Sequence, residues 1–466
     1  MARLRTFLIL LLLGSALALV LSPGCLTDPV TGKRTLGLIN PGDDEEVRQG
    51  REYAASFVAT NDGVYPDAEV NEYLGAIVRR IGALSHRPKL PYRFTLLNTS
   101  VPNAFALPGG EVFLTRGLLV RLGEEAQFAV VMAHEIGHVN HRHAVRAMND
   151  ALVLGLGTSM VTGPLKDERD REAAAGLAAA GGGLLLLRFS REQELEADGL
   201  GAEYARRAGY DPRRGLEVFR EFGRMRHEAG GKTGILDAWL SSHPMDEDRV
   251  VNLQREIARR WPALRGTTPA PGLVTTTPRW TALLARVRAA QAAYDRLDRS
   301  RAAAARALAA GDRAGAAREA REVASAGAAL PSHALFPAVE GTILQATGDR
   351  AAARERLQRA ATLQPGLYLA RVRLSVLEAD DRRFDRALAE ARAAAALDPT
   401  SAGARNLLGR ALEGSGDRPG AVAAHEAAAR LAPSGGAEER IALARLTALD
   451  PGRYAPSPLR ERGAPR

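Results

Sequence analysis

The sequence predicts two folded parts in series: an α+β domain, mostly helical with a small sheet, and then an all-α solenoid of paired helices. Three observations carry this. From about residue 45 to 260, helical spacing alternates with short strand-like runs. Residues 263–280 then interrupt the pattern with Thr, Pro and Gly. Beyond them Pro331, Pro365, Pro399 and Pro433 recur every 34 residues in an Ala-, Arg- and Leu-rich background. At 466 residues the chain exceeds one ordinary domain, and 46% hydrophobic with 25% charged residues suits packed cores rather than disorder.

The N-terminus reads as an export signal over residues 1–24. Arg3 and Arg5 precede an uncharged apolar run from 7 to 21, too short to span a bilayer and right for a signal segment. Cys25 is the only cysteine, so an intramolecular disulfide is excluded. Its place after Ser22-Pro23-Gly24 resembles a bacterial lipoprotein cleavage site, although Ser22 stands where Leu is usual. The expectation is a lipidated Cys25, a polar tether over 25–45, and a periplasmic protein held to the membrane by its lipid. Several acyl chains are needed for durable anchoring. Leu26, rather than Asp, follows the cysteine and favours the outer membrane. The net charge of +9 comes from scattered arginines without a nucleic-acid-binding pattern, so nucleic acid is not expected as a partner.

Within the first domain, Val70, Leu74, Ile77, Val78 and Ile81 recur at helical spacing over 69–84. Residues 91–97 alternate as a strand does, and Glu111–Thr115 reads as another strand entered through Gly109-Gly110. Helices are expected over 124–148 and 189–207. The domain ends near residue 260, which places the boundaries at 46–262, a linker at 263–285, the repeats at 286–450 and a disordered tail at 451–466.

The chemistry concentrates in Val130-Val131-Met132-Ala133-His134-Glu135-Ile136-Gly137-His138. His134 and His138, four apart, share one face of a helix, and Glu135 can reach a water beside them. This is the HExxH pattern: two zinc ligands and a general base. A catalytic zinc usually takes a third protein ligand. Glu194 supplies it, and Asp198, again four residues on, can accept a hydrogen bond from the outer nitrogen of a ligand histidine. Glu192 and Glu196 fall on other helix faces. His141 and His143 read as helix residues near the site rather than ligands. One Zn2+ per chain is expected.

These residues, together with Ser190-Arg191 and Ala197, resemble the gluzincin family of the CAAX prenyl endopeptidase and the heat-shock membrane protease HtpX. The closest likeness is to its BepA-like branch of periplasmic lipoprotein proteases with C-terminal tetratricopeptide repeats. Asp28-Pro29-Val30-Thr31-Gly32-Lys33, 102–110, and Ser242-His243-Pro244 with Arg249 agree with it, so the likeness spans about 25–260. The resemblance implies a zincin-type metallopeptidase domain and a metalloendopeptidase acting on envelope proteins. It implies substrate binding along Asn103, Ala104, Phe105 and Ala106, with His243 and Arg249 in the catalytic machinery as oxyanion donors. His243 is alternatively a gate that sits on the zinc. It also implies protein partners on the repeats. The alternative function is a repeat-based scaffold or chaperone with a latent zinc site.

In the repeats, small residues stand at fixed distances before the last three prolines: Gly341, Ser375 and Gly409; Ala353, Ala387 and Ala421; Ala360, Ala394 and Ala428. The spacing predicts close helix pairs, each ended by its proline.

Overall fold

In the computed structural model the described residues are 24–37, 39–150, 189–228, 243, 247–266 and 270–454. The signal segment, the apolar stretches 151–161 and 173–187 and the tail 456–466 lie outside them. Among the described residues no helix is long and apolar enough to cross a membrane.

The segment expected to be a loose tether is instead a docked hairpin. Strands β1 (Gly24–Thr27) and β2 (Arg34–Gly37) pair antiparallel, with Cys25 opposite Leu36. The turn is built by Asp28, whose carboxylate accepts from the backbone N–H of Val30 at 2.7 Å and of Thr31 at 3.2 Å. Asp28 is itself buried, and its other oxygen meets the side chains of His141 at 2.8 Å and Arg146. The polar composition that suggested a tether serves a turn and a buried ion pair.

Helices α1 (Asp43–Thr60) and α2 (Ala68–Ala83) follow. Asp67 caps α2 through the Val70 N–H, and the helix buries the five apolar positions read from its spacing. The sheet has the order β3-β5-β4, with β3 (Arg93–Leu97) parallel and β4 (Ala104–Leu107) antiparallel to the central β5 (Glu111–Thr115). All five residues of β5 are buried, as a strand covered on both faces requires. A short turn of helix, α3 (Arg116–Leu119), leads to α4 (Glu125–Asn140), which is buried nearly all round and runs through the core.

The helix expected to continue to residue 148 breaks. His141 and Arg142 form a turn, Arg142 has φ 56°, and helix resumes at residue 143. A left-handed arginine is strained and needs fixing by its surroundings. Buried Glu46 of α1 supplies this: it accepts from Arg142 at 2.7 Å and from Arg87 at 3.0 Å. Helix α5 (Arg191–Arg207) begins at a Ser190–Gln193 capping box and lies against α4. The approach is close: a Cβ on Gly201 would stand 3.1 Å from the His134 backbone, and one on Gly137 would stand 3.2 Å from the Ala197 carbonyl. Helices α6 (Arg214–Glu228) and α7 (Glu247–Arg260) complete this part.

Residues 263–285, expected to be a linker, are packed where they are described. Val274 bridges to Tyr210, the Thr275 carbonyl accepts from the Ala126 N–H at 2.9 Å, and Thr277 caps α8 (Pro278–Ala289) while touching Glu125. Trp280 of α8 lies against Phe128 of α4, with ring centroids 5.8 Å apart. One apolar cluster therefore runs without interruption from Tyr65 and Phe128 through Trp280 and Tyr294 to Ile343.

The repeats form helix pairs α9 (Gln291–Ala309) with α10 (Arg313–Gly327), α11 (Leu335–Thr347) with α12 (Arg350–Leu363), α13 (Tyr368–Asp380) with α14 (Phe384–Leu397), and α15 (Ala402–Ser415) with α16 (Arg418–Leu431). Helix α17 (Ala437–Leu449) follows. Pro365, Pro399 and Pro433 each stand two residues past the second helix of a pair, and Pro331 stands four past α10. The three alanine pairs are buried, and a Cβ on Gly341 would stand 2.8 Å from Leu357 and 3.0 Å from the Ala353 carbonyl. Ser375, at the equivalent place, fits because its hydroxyl donates to the Ala387 carbonyl at 3.2 Å. The solenoid also touches the first domain through Gln364 to the Val64 carbonyl and Arg301 to Asp62.

Candidate active site

His134, Glu135 and His138 lie on α4 and Glu194 and Asp198 on α5, and all five side chains are buried. His134 Nε2 and His138 Nε2 face each other at 3.0 Å. Glu194 completes a triangle, its Oε2 3.7 Å from His134 Nε2 and its Oε1 3.5 Å from His138 Nε2. Each histidine spends its other nitrogen elsewhere. His134 Nδ1 is 3.0 Å from Asp198 Oδ1, and His138 Nδ1 is 2.8 Å from His143 Nδ1.

This donor set fits a tetrahedral cation. With a proton on each Nδ1, both Nε2 atoms present lone pairs to one another, an arrangement that only a positive charge between them can satisfy. Two nitrogens each bound at 2.0–2.1 Å to one tetrahedral ion stand roughly 3.3 Å apart, close to the separation seen. The surroundings treat the two histidines differently. Burial works to lower the His134 pKa, but the hydrogen bond and charge of Asp198 outweigh it and raise the group. His138 has no such carboxylate and is held well below the usual range by burial and by neighbouring histidines. Burial works to raise Glu194, but His243, His134 and Arg249 together hold it down.

Glu135 differs from Glu194. Burial drives its carboxyl upward, and its Oε1 has no hydrogen-bond partner, the nearest base being His243 Nε2 at 3.8 Å. A buried carboxylate oxygen left without a donor has room for a water or substrate proton. Beside it, Val130, Val218, Phe219, Phe222 and Leu253 line an apolar cavity of about 30 Å³.

Two residues from later in the chain converge on the same place. His243 Nδ1 lies 2.9 Å from Glu194 Oε1, and the side chain belongs to one cluster of possible metal donors with His134, His138 and Glu194. Arg249, expected as an oxyanion donor, is placed otherwise. Its Nε and Nη2 meet the two oxygens of Asp198 at 2.9 and 2.8 Å, and its Nη1 stands 2.7 Å from Glu194 Oε2. All three nitrogens are thus committed to the carboxylates that flank the histidines, and Arg249 acts by fixing them. With His134 it overcomes the upward push of burial and holds the Asp198 pKa at about 2. The stability from this pair is present above the ordinary carboxyl range and is lost as pH falls towards 2.

Of residues 103–106, Ala104, Phe105 and Ala106 belong to β4, which pairs with β5 on one side and with no strand on the other among the described residues. Phe105 packs between the rings of Phe57 and Phe113. Ala106 and His138 line one small cavity with Phe189, which places the β4 edge beside the histidines.

The fold and these donors define a zincin-type metallopeptidase domain with its HExxH helix in the core. Residues 68–257 match the model of Peptidase family M48. It is 31% identical over 228 residues to a putative beta-barrel assembly-enhancing protease of Vibrio cholerae serotype O1, covering 48% of this chain and 46% of the relative. It is 31% identical over 198 residues to the beta-barrel assembly-enhancing protease of Escherichia coli strain K12, covering 40% and 38%. A third relative is the mitochondrial metalloendopeptidase OMA1 of Schizosaccharomyces pombe, 30% identical over 188 residues, covering 39% of this chain and 51% of that one. The matches thus span less than half the length of the two bacterial relatives. Among solved structures, MamA 41-end from Desulfovibrio magneticus RS-1 is 21% identical over 34% of this chain and 84% of that one, at a TM-score of 0.29.

His143 and Glu196 were missed by sequence reasoning. On an unbroken helix residue 143 would sit five places from His138 and point well away from it. The left-handed Arg142 turns the chain so that His143 Nδ1 can accept from His138, while its Nε2 donates to Glu196 at 3.0 Å. Burial holds His143 down to about 4, which keeps it neutral and able to accept. Arg146 joins Glu196 at 3.4 Å to the buried Asp28 of the hairpin. The signal available in the sequence was the density of histidines over 134–143, without the turn that aims them. Replacing His143 by Leu should weaken metal binding roughly 10- to 100-fold, the usual cost of losing such a partner. His143→Gln, which can still accept and donate, should recover most of it. Competition with a chromogenic chelator reads this, and equal affinities in both variants and the parent would remove His143 from the site.

Proposed function

We propose that this chain is a zinc-dependent endopeptidase in which His134, His138 and Glu194 hold the ion and Glu135 is the general base. The observation that carries this is the pair of facing Nε2 atoms at 3.0 Å, with Glu194 beside them and Glu135 Oε1 left without a partner. Bound there, zinc supplies Lewis acidity toward the scissile carbonyl. Glu135 takes the proton of the attacking water on Oε1 and passes it to the leaving amine. Its upward-shifted carboxyl suits both halves of that exchange. The open edge of β4 at Asn103 to Ala106 receives an extended substrate by strand addition. The apolar cavity next to Glu135 takes a substrate side chain.

That cavity of about 30 Å³ is small, so a large substrate side chain enters it only if its walls move. His243 does not line this cavity and bears on the ion instead. Its contact with Glu194 and its membership of the donor cluster support the reading that it occupies a fourth zinc position and keeps the resting site latent. The same contact supports the second reading, a repeat-based chaperone or scaffold with a dormant zinc site.

The named relatives support a role in the assembly or quality control of outer-membrane proteins. In this reading the chain is exported, lipidated at Cys25 and held to the outer membrane, and its tetratricopeptide-like repeats bind protein partners. Labelled palmitate should attach to the wild-type chain and not to Cys25→Ala; label persisting on the variant would refute the anchor. Glu135→Gln should retain metal by mass spectrometry and lose casein cleavage by at least about 10²-fold; a fully active variant would remove Glu135 as the base. His243→Ala should raise basal cleavage at saturating peptide if His243 gates the ion. A fall of about 10²–10³ would instead make it an oxyanion donor.

A further inference from the structure

The repeats contain a cavity that proteolysis does not use. It has a volume of about 280 Å³ and lies among α9, α11 and α13, with Leu308, Ile343 and Leu369 as apolar wall and Arg301, Gln345 and Arg373 as its long polar side chains. Arg373 differs from several other arginines of the repeats. Arg350 pairs with Asp381, Arg354 with Glu378, Arg356 with Glu340 and Arg371 with Glu390. Arg373 is half-buried, and its Nε is shut off from water with no acceptor. No ion pair of its guanidinium is found among the described residues. Burial works against its charge, and nearby Arg301 adds repulsion. Arg301 itself is tied to Asp62 of the first domain at 3.0 Å, which fixes the cavity's rim. In the same cavity Gln345 Oε1 is buried with no donor.

A half-buried cation with its Nε shut off from water and a buried acceptor without a donor, in one mostly apolar cavity, are costly unless something fills both needs. The occupant must carry an anionic acceptor, an N–H donor and an apolar body within a short reach. We propose that this cavity binds the C-terminal end of a polypeptide whose last residue is apolar. The α-carboxylate meets Arg373 with Arg301 behind it, the terminal peptide N–H meets Gln345, and the last side chain lies on Leu308, Ile343 and Leu369. A chain end is the group that presents a carboxylate and an apolar side chain from one carbon, with an amide N–H attached to it. An internal Asp or Glu carries its charge away from an apolar neighbour and would need the backbone to leave in both directions. The volume is at the low end for ligand sites and admits one or two residues. A fatty acid would satisfy Arg373 but not Gln345. The inference is independent of the metal site, since none of its residues touches it.

The test uses the full chain carrying Glu135→Gln, so that no peptide is consumed, and a fluorescein-labelled pentapeptide ending in leucine, with a free carboxylate or a terminal amide. Fluorescence anisotropy should show the free acid binding at least about tenfold more tightly than the amide. Arg373→Gln should reduce the acid to the level of the amide, leave the amide unchanged and leave the thermal midpoint in place. Arg373→Lys should keep part of the difference. Leu369→Trp, which fills the cavity, should weaken both forms. Equal binding of acid and amide would overturn the proposal, as would an acid preference that survives Arg373→Gln. Laurate displacing the acid peptide at equal or lower concentration would assign the cavity to lipids and overturn it as well.

Discussion

Two imidazole nitrogens 3.0 Å apart, in a core that excludes water, are the constraint on which the first domain depends. Left to itself, such a pair would rotate apart or take up a proton. It is held by commitments on the far side of each ring: Asp198 on His134 and His143 on His138. Those partners are held in turn. Arg249 clamps Asp198 with two nitrogens, and Glu196 anchors His143. The site is built from outside inwards, each group oriented by a more distant one that is also buried and satisfied.

The outer members of this network explain features of the fold that composition would call surface. Glu46 is buried on α1 because it neutralises Arg87 and Arg142, and Arg142 is left-handed because that turn aims His143 at His138. Breaking a buried pair of this sort leaves an uncompensated charge, which costs several kcal/mol. Asp28 does the same for His141 and Arg146, and thereby joins the N-terminal hairpin to the end of the histidine helix. The residues after Cys25 are part of the first domain's framework and not merely a leash for it.

The second half of the chain obeys a different rule. Its helix pairs approach closely at Gly341, Ser375 and Gly409, and the alanines opposite are fully buried, so each repeat depends mainly on its neighbours. The two halves are nonetheless not independent. Trp280 and Tyr294 carry the first core into the repeats, and ion pairs and hydrogen bonds at Asp62 and Val64 bring the repeats back onto the first domain. A repeat array seated in this way is fixed in position relative to the metal site.

How much of this was legible in the sequence follows from the range of each interaction. The helix at 69–84, the strands at 91–97 and 111–115, the prolines every 34 residues, the His134–His138 pair with Glu135, and the Glu194–Asp198 pair each rest on local periodicity or on spacing within one helix. Periodicity is fixed by backbone geometry, so the sequence alone determined them. It did not determine the hairpin at Asp28, the turn at Arg142, the clamp made by Arg249 or the packing of 270–285. Each of these exists because a charge or an apolar ring finds a partner far away along the chain, with Asp28 and Arg146 separated by 118 residues and Arg249 and Asp198 by 51. Such partners are chosen by burial, which makes an unpaired charge expensive, and only the tertiary structure decides which groups are buried together.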